Sequence, residues 1–354
     1  MSLPVVIGHR GASGELPEHT LAAYSLALRQ GADALETDLV MSRDGALVLR
    51  HENELGATTD VARHAGFASR RATKSIDGRP VTGWFSEDFT LQELKSLRAR
   101  ERIPELRPGN SRFDGQFELA TLRELLRLRR HAERERRTRA AALGLARPPP
   151  IGLYLELKHP THFAACGLSM IDALLGELEA EFGPAPEEGL LIECFETAIL
   201  RTLAARTRVP LVQLIEAEGA PYDWVACGEP GAFADLTTPT GLARIAAYAA
   251  CIGPEKSLVI GRDGRDALGE PTALVPDSHA QGLRVMPWTF RAENAFLPAE
   301  ARSSAAAADR GDLVRELREF LAAGIDGFFT DHPAIGVQAR DAFISAHHTP
   351  PPQR

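Results

Sequence analysis

The chain of 354 residues has little cysteine. Cys166, Cys194, Cys227 and Cys251 stand far apart, and no Cys-x-x-Cys pair occurs. That excludes a zinc ribbon and a dense disulfide framework. The spacing predicts four buried thiols, with one disulfide left open. No apolar run reaches the roughly 18 residues of a membrane-spanning helix. No Gly-x-Gly-x-x-Gly turn follows any candidate strand, which counts against a dinucleotide-binding doubly wound sheet. Lysine is scarce too: of 40 basic residues only Lys74, Lys95, Lys158 and Lys256 are lysines. Each therefore marks a place where a compact ammonium stands instead of an arginine fork. A net charge of −8 argues against a general nucleic-acid binder. With 30 Gly and 24 Pro the chain is neither collagen-like nor of low complexity. Val5-Val6-Ile7 is too short for the apolar centre of a signal peptide and runs straight into Gly8-His9-Arg10. The expected compartment is the cytoplasm, or the periplasm if a leader has been removed.

What is present is ordinary soluble composition, 44% hydrophobic and 25% charged, enough to bury a full core. Short β-branched or apolar runs alternate with helical patterns. The predicted strands are Val5–His9, Ala34–Leu39, Gly152–Lys158, Leu190–Cys194, Leu211–Ile215, Ala249–Ile252, Leu283–Trp288 and Gly327–Thr330. Ala46–His51 is a further extended piece after the Asp44-Gly45 turn. Helices are predicted over Thr20–Gln30, Phe163–Phe182 with a break at Gly183-Pro184, Thr197–Arg208, Thr240–Ala250, Asp277–Gln281 and Asp312–Ala323. Eight strands alternating with helices predict an α/β fold, a (β/α)8 TIM barrel, with the chain from 1 to 354 as one domain. The long excursion after the second strand predicts an insertion between that strand and its helix, residues Glu52–Gly115, holding one short helix, Leu91–Arg100. A charged helix over Leu119–Leu143 closes the excursion. Its interleaved Glu124, Glu133 and Glu135 favour a solvated surface helix over a polyanion patch.

The chemistry-bearing residues gather at predicted strand ends. His9 and Arg10 end the first strand between Gly8 and Gly11, where the flanking glycines let backbone approach a ligand. The alternative is an exposed turn with an incidental histidine. Glu36 and Asp38 are two apart on the second strand and share one face. On a barrel's lumen face two such carboxylates repel unless a cation sits between them. The other reading is an edge strand facing water. Glu156 and Lys158 share a face of the third strand with Tyr154. They are either a third oxygen ligand beside a phosphate-binding ammonium, or a buried ion pair. His51, ending Ala46–His51, is the second histidine that a two-proton mechanism needs.

These residues form an ordered set. His9-Arg10-Gly11, Pro17-Glu18-His19-Thr20, Glu36-x-Asp38, Asp44-Gly45 leading to His51, Glu156-Leu157-Lys158, and Gly324-Ile325-Asp326-Gly327 followed by Thr330-Asp331 resemble the glycerophosphodiester phosphodiesterase family. The resemblance runs over nearly the whole chain. Thr58-Thr59-Asp60-Val61 and Glu193-Cys194-Phe195 are similar to the bacterial branch with a large insertion. The resemblance implies acid/base roles for His9 and His51. It implies metal-ligand roles for Glu36, Asp38 and Glu156, and phosphate contacts from Arg10 and Lys158. Trp288, and more weakly Phe195, match the wall of a glycerol pocket. Two positions depart from the family pattern. Glu193 stands where Gln or Ser is common, adding a lumen carboxylate that could tune the metal or bind a substrate hydroxyl. Glu52 follows His51 where Asp is common.

The implied activity is metal-dependent hydrolysis of small glycerophosphodiesters, such as glycerophosphocholine or glycerophosphoethanolamine, to an alcohol and sn-glycerol 3-phosphate. Three carboxylates with no cysteine ligand suit one divalent cation, Ca²⁺ or Mg²⁺. The expected partner is the small-molecule substrate, with no nucleic acid and no membrane span; a homodimer is left open. Two alternatives stand beside this reading. One is a related barrel enzyme acting on lipid phosphodiesters, in the manner of a lysophospholipase D, against which the polar insertion counts. The other is a non-catalytic binding protein on the same barrel, which would be expected to lack a histidine or a ligand carboxylate; none is missing.

Overall fold

The computed structural model describes residues 3–183 and 188–347. Eight parallel strands carry the fold: β1 (Val5–His9), β2 (Ala34–Met41), β3 (Gly152–Leu157), β4 (Leu190–Cys194), β5 (Leu211–Ile215), β6 (Cys251–Pro254), β7 (Arg284–Val285) and β8 (Gly327–Thr330). From β1 to β7 each strand pairs with the next in sequence, and β8 pairs with β1. Backbone hydrogen bonds from Asp326 to Val285 (2.9 Å), Phe329 to Pro287 (3.1 Å) and Phe290 to Phe329 (2.9 Å) join β7 and the residues just past it to the segment of β8. The ring is thus the predicted (β/α)8 barrel. Leu47–Leu49 adds a short antiparallel strand on β2.

Side-chain alternation decides what fills the lumen. Seven of the strands, together with Met286 just past β7, build an apolar plug: Ile7, Ala34, Tyr154, Leu191, Val212, Cys251, Met286 and Phe329. The Tyr154 and Phe329 rings meet edge to face at 5.4 Å, and the Tyr154 hydroxyl donates to Met286 Sδ at 2.9 Å. The opposite faces of the strands pack against the surrounding helices in a separate, larger core that includes Leu35, Leu39, Leu153, Leu155, Ile192 and Phe328. Two residues beyond the plug, the same alternation turns His9, Glu36, Glu156 and Glu193 inward at the strands' C-terminal ends.

The helices start where side chains cap them. Thr20 accepts from Ala23 N ahead of Leu21–Arg29, and Asp312 accepts from Arg315 N ahead of Leu313–Ala322. The long charged helix begins at Leu122 rather than Leu119, because Thr121 and Glu124 form a capping box, and it runs to Ala142.

Several boundaries need correction. The stretch Phe163–Phe182 forms two helices, Pro160–Ala165 and Met170–Phe182. Gly167 has a φ of +76°, and Leu168 N returns to Phe163 O at 2.9 Å, a helix stop that apolar periodicity does not register. Ser169 then caps the second helix. Pro184, part of the expected break, lies outside the described residues. Leu91–Arg100 contracts to a helix over Leu91–Leu94. Residues 52–115 hold more than that one helix: a hairpin pairs Ala72–Ile76 with Arg79–Gly83 across a turn whose Asp77 and Gly78 both have positive φ. A second unexpected hairpin pairs Ile260–Arg262 with Leu268–Pro271. Of the four free thiols, Cys194 and Cys251 are buried but Cys166 and Cys227 are exposed. Among the described residues no helix is long and apolar enough to cross a membrane.

Candidate active site

The sharp exit of the chain from β1 sets the site's centre. Arg10 (φ +57°) and Gly11 (φ +87°) both lie in the left-handed region. A Cβ at Gly11 would come within 2.6 Å of the Ala23 backbone, so only glycine fits that close approach. The turn aims Arg10 N at Glu36 Oε2 (2.8 Å). It also holds the guanidinium 3.1 Å from Asp38 and 3.2 Å from Glu18.

Both expected histidines line one cavity of about 1090 Å³. His9 Nδ1 lies 2.6 Å from Asp331 Oδ1, which assigns the proton to Nδ1 and leaves Nε2 as the basic nitrogen, 4.0 Å from Glu36 Oε2. The other oxygen of Asp331 accepts from Arg107 (2.5 Å) and Arg291 (2.8 Å). His51 is held the same way, its Nδ1 2.5 Å from Glu52 Oε1 and its Nε2 3.2 Å from Lys158 Nζ. Arg102 bridges Glu52 and Glu18 with four hydrogen bonds of 2.6–2.8 Å. Burial, with Arg10 nearby, lowers His9 to about 4 against the pull of Asp331. Burial, Arg10 and Lys158 lower His51 to about 3. Both rings are therefore neutral at pH 7 and able to accept a proton.

The carboxylates form the second part. Register sets Asp38 beside Glu156 and Glu156 beside Glu193. Glu36, Glu156 and Glu193, all buried, each offer an oxygen within 4.8 Å of the others. Glu36 Oε1, Asp38 Oδ1 and Glu193 Oε2 have no hydrogen-bond partner. Burial, then Asp38 and Glu193, push the Glu36 carboxyl well above its usual range. Burial, then Glu156 and Asp38, do the same to Glu193. Burial raises Glu156 to about 8 although Lys158 stands 2.7 Å away. Burial would raise Asp38 as well, but Arg10 and His51 hold it well below the carboxylate range. Buried carboxylates with open oxygens that destabilise one another fit a hard divalent cation.

The structure brings all the expected residues except Asp38 to the lining of this cavity, with Asp38 buried behind it, and in a changed grouping. Glu193 joins Glu36 and Glu156, whereas Asp38 Oδ2 is taken by His19 Nε2 (2.9 Å) and Arg10. Lys158 Nζ sits 5.4 Å over the Phe195 ring, and Phe195 meets Trp288 edge to face at 5.7 Å. Trp288 is fixed by a 2.8 Å bond from its indole to Gly253 O. These rings make an apolar wall beside the cations.

Sequence reasoning assigned no role to the groups that orient the histidines. Asp331 had a signal, since it lies two residues past inward-facing Phe329 on one strand face. Glu52 had its neighbour His51. Arg102, Arg107 and Arg291 had none, because nothing in a chain so rich in arginine marks those three.

Neutral bases and fixed cations around open carboxylates suit hydrolysis of an anionic ester, which makes the chain a barrel hydrolase. Its family follows from comparison. The Glycerophosphoryl diester phosphodiesterase family matches residues 9–140 and 163–335, and the chain belongs to it. A glycerophosphodiester phosphodiesterase of Arabidopsis thaliana is 32% identical over 93% of this chain and 84% of its own length. One from Haemophilus influenzae is 27% identical over 94% of this chain and 89% of its own. The fold is shared with an Oleispira antarctica phosphodiesterase solved with the product sn-glycerol-3-phosphate (TM-score 0.60, 22% identity, 96% of this chain and 97% of that one). It is also shared with a glycerophosphodiester phosphodiesterase from Agrobacterium tumefaciens (TM-score 0.53, 18% identity, 96% and 100%). The matched spans omit Glu156 and Lys158, and strand register sets Glu156 beside Asp38.

Proposed function

We propose that the chain hydrolyses small glycerophosphodiesters, such as glycerophosphocholine and glycerophosphoethanolamine, to an alcohol and sn-glycerol 3-phosphate, with one bound divalent cation, Ca²⁺ or Mg²⁺. The observation that carries this reading is the pairing of two neutral, carboxylate-oriented histidines with buried carboxylate oxygens that lack partners, on one cavity. Glu36, Glu156 and Glu193 would hold the ion, with Asp38 Oδ1 as a further oxygen. Bound there, the ion would neutralise phosphate charge and acidify an attacking hydroxyl.

The chain's own groups supply the rest. Arg10 and Lys158 place fixed positive charge where oxygens on phosphorus gain charge. One histidine Nε2 takes the proton of the attacking hydroxyl, and the other, protonated from solvent before the step, gives its proton to the leaving alkoxide; the first then releases its proton to solvent. Asp331 and Glu52 stabilise each imidazolium as it forms, as carboxylates behind catalytic histidines do. Phe195 and Trp288 offer an apolar face to the glycerol carbons. Residues 52–115 act as a cap subdomain over the cavity.

The test is choline release from glycerophosphocholine with and without chelator. Activity should fall to background in EDTA and return with Ca²⁺ or Mg²⁺. Full turnover after exhaustive chelation would remove the cation from the reading.

A further inference from the structure

A second group of side chains with metal-ligand chemistry lies on the barrel's flank. His162 is in the helix Pro160–Ala165 and Cys166 caps its C-terminal end, so the two are four residues apart on one helical face. Glu87, in the turn Ser86–Asp88, faces them from the 52–115 segment. Cys166 Sγ is 3.7 Å from His162 Nε2, and His162 Nε2 is 2.9 Å from Glu87 Oε1. All three donor atoms lie within 4.8 Å of one another. Around tetrahedral zinc, bond lengths of about 2.0–2.3 Å separate the donors by about 3.3–3.6 Å. Side-chain adjustments on the order of 1 Å would close these three on an ion. The donor types matter as much. Thiolate, imidazole and carboxylate together select zinc and similar borderline ions, whereas the all-oxygen set in the cavity selects hard ones.

Lys74 Nζ now holds this place. It is 2.8 Å from Glu87 Oε1 and also 2.8 Å from Asp88 Oδ1. The lysine therefore keeps a partner if it leaves Glu87. We propose that Glu87, His162 and Cys166 form a second metal site, for zinc or a similar divalent ion, in which the ion replaces Lys74 at Glu87. Water fills the fourth position, and the Cys166 thiol gives up its proton on binding. Glu87 also accepts from Asn53 Nδ2 at 3.2 Å. The ion would thus pin the loop carrying His51 and Glu52 to the helix that follows Lys158.

Cobalt(II) reports on this site separately from the cavity, because a sulfur-to-cobalt charge-transfer band requires a thiolate ligand. Metal-free full-length protein should develop that band on titration with Co²⁺, and one equivalent of Zn²⁺ should abolish it. Cys166→Ser, a near-isosteric change at an exposed position, should remove the band. Lys74→Met should tighten binding about tenfold, since the competing ammonium is gone. Zn²⁺ should raise the melting temperature of the wild type more than that of Cys166→Ser. The proposal is overturned if the wild type gives no band, or if the band survives in Cys166→Ser. It is equally overturned if only Lys74→Met binds, because the lysine then closes the site permanently.

Discussion

The lumen of this barrel changes character within two residues along the same strands. Tyr154, Leu191 and Phe329 close an apolar plug, and Glu156, Glu193 and Asp331, each two positions further on, face the cavity or bind its histidines. The lower layer has its hydroxyl and rings satisfied by contact. The upper layer keeps three buried carboxylate oxygens without partners, and its histidines, buried His9 and half-buried His51, are driven neutral. Strand geometry is common to both, so the difference is one of purpose. The plug contributes stability, and the layer above it spends some of that stability on holding like charges together.

Exchanging the expected effects of the two layers would break this contrast. His9→Ala and His51→Ala should each lower kcat by about 10²–10⁴ with folding retained. The double variant should lose little beyond the worse single one, because the pair acts as a unit. Tyr154→Ala, one layer down, 2% exposed and outside the cavity lining, should do the opposite. It should cost about 3–5 kcal/mol of stability through an unfilled cavity, with kcat per folded molecule largely kept. Steady-state kinetics alongside urea unfolding decides. Near-normal turnover in either histidine variant removes that residue from the mechanism.

The charge held in the upper layer should also appear as a pH dependence of the metal-free protein. Glu36, Glu156 and Glu193 have raised folded-state pKa values, Glu156 at about 8. The folded state keeps protons that the unfolded chain releases above about 4.3, so this contribution is lost as pH rises through the folded values. The histidines act with the opposite sign. Lowered to about 4 and about 3, they cost stability only as pH falls below about 6.5. Between about pH 6.5 and 8 the carboxylates dominate, and metal-free stability should fall by about 1.4 kcal/mol per pH unit for each proton involved. Saturating Ca²⁺ or Mg²⁺ should flatten the slope, and Glu193→Gln should reduce it. Urea unfolding in chelator at three pH values checks the sign.

The lower layer was easier to read from sequence than the upper one. Val5–His9, Leu190–Cys194, Leu211–Ile215 and Gly327–Thr330 match their predicted bounds, since fully buried parallel strands give continuous apolar runs. β7 shrank to Arg284–Val285, and its neighbour β6 moved to Cys251–Pro254. Glu36, Asp38, Glu156 and Lys158 were visible because a charge on a buried strand contradicts its surroundings. How the carboxylates share oxygens was not visible. It depends on where Arg10 and His19 point, and the left-handed turns at Arg10 and His19 set that. The arginines behind Asp331 and Glu52 come from distant segments, which only the fold brings near.

The smallest effect concerns the hairpin Ala72–Ile76 and Arg79–Gly83. Ile76, Asp77, Arg79 and Val81 line the same cavity as His9 and Trp288, and Asp77 Oδ2 lies 2.6 Å from His159 Nδ1, just past β3. The hairpin is therefore fastened to the cavity wall, and as part of the proposed cap it should exclude a long acyl chain while enclosing a small diester. Deleting all of residues 52–115 would not test this, because Arg102 and Arg107 go with them and the histidine supports collapse. Replacing the hairpin alone with a short glycine–serine linker leaves both arginines. The ratio of lysophosphatidylcholine to glycerophosphocholine turnover should then rise several-fold, up to about the tenfold that 1.4 kcal/mol represents. Turnover of the small substrate should weaken, since the mouth no longer sheds water. If the hairpin serves only stability or assembly, melting temperature or oligomeric state should change with the ratio untouched. An unchanged ratio in a folded variant refutes the lid and leaves the upper layer to select substrates unaided.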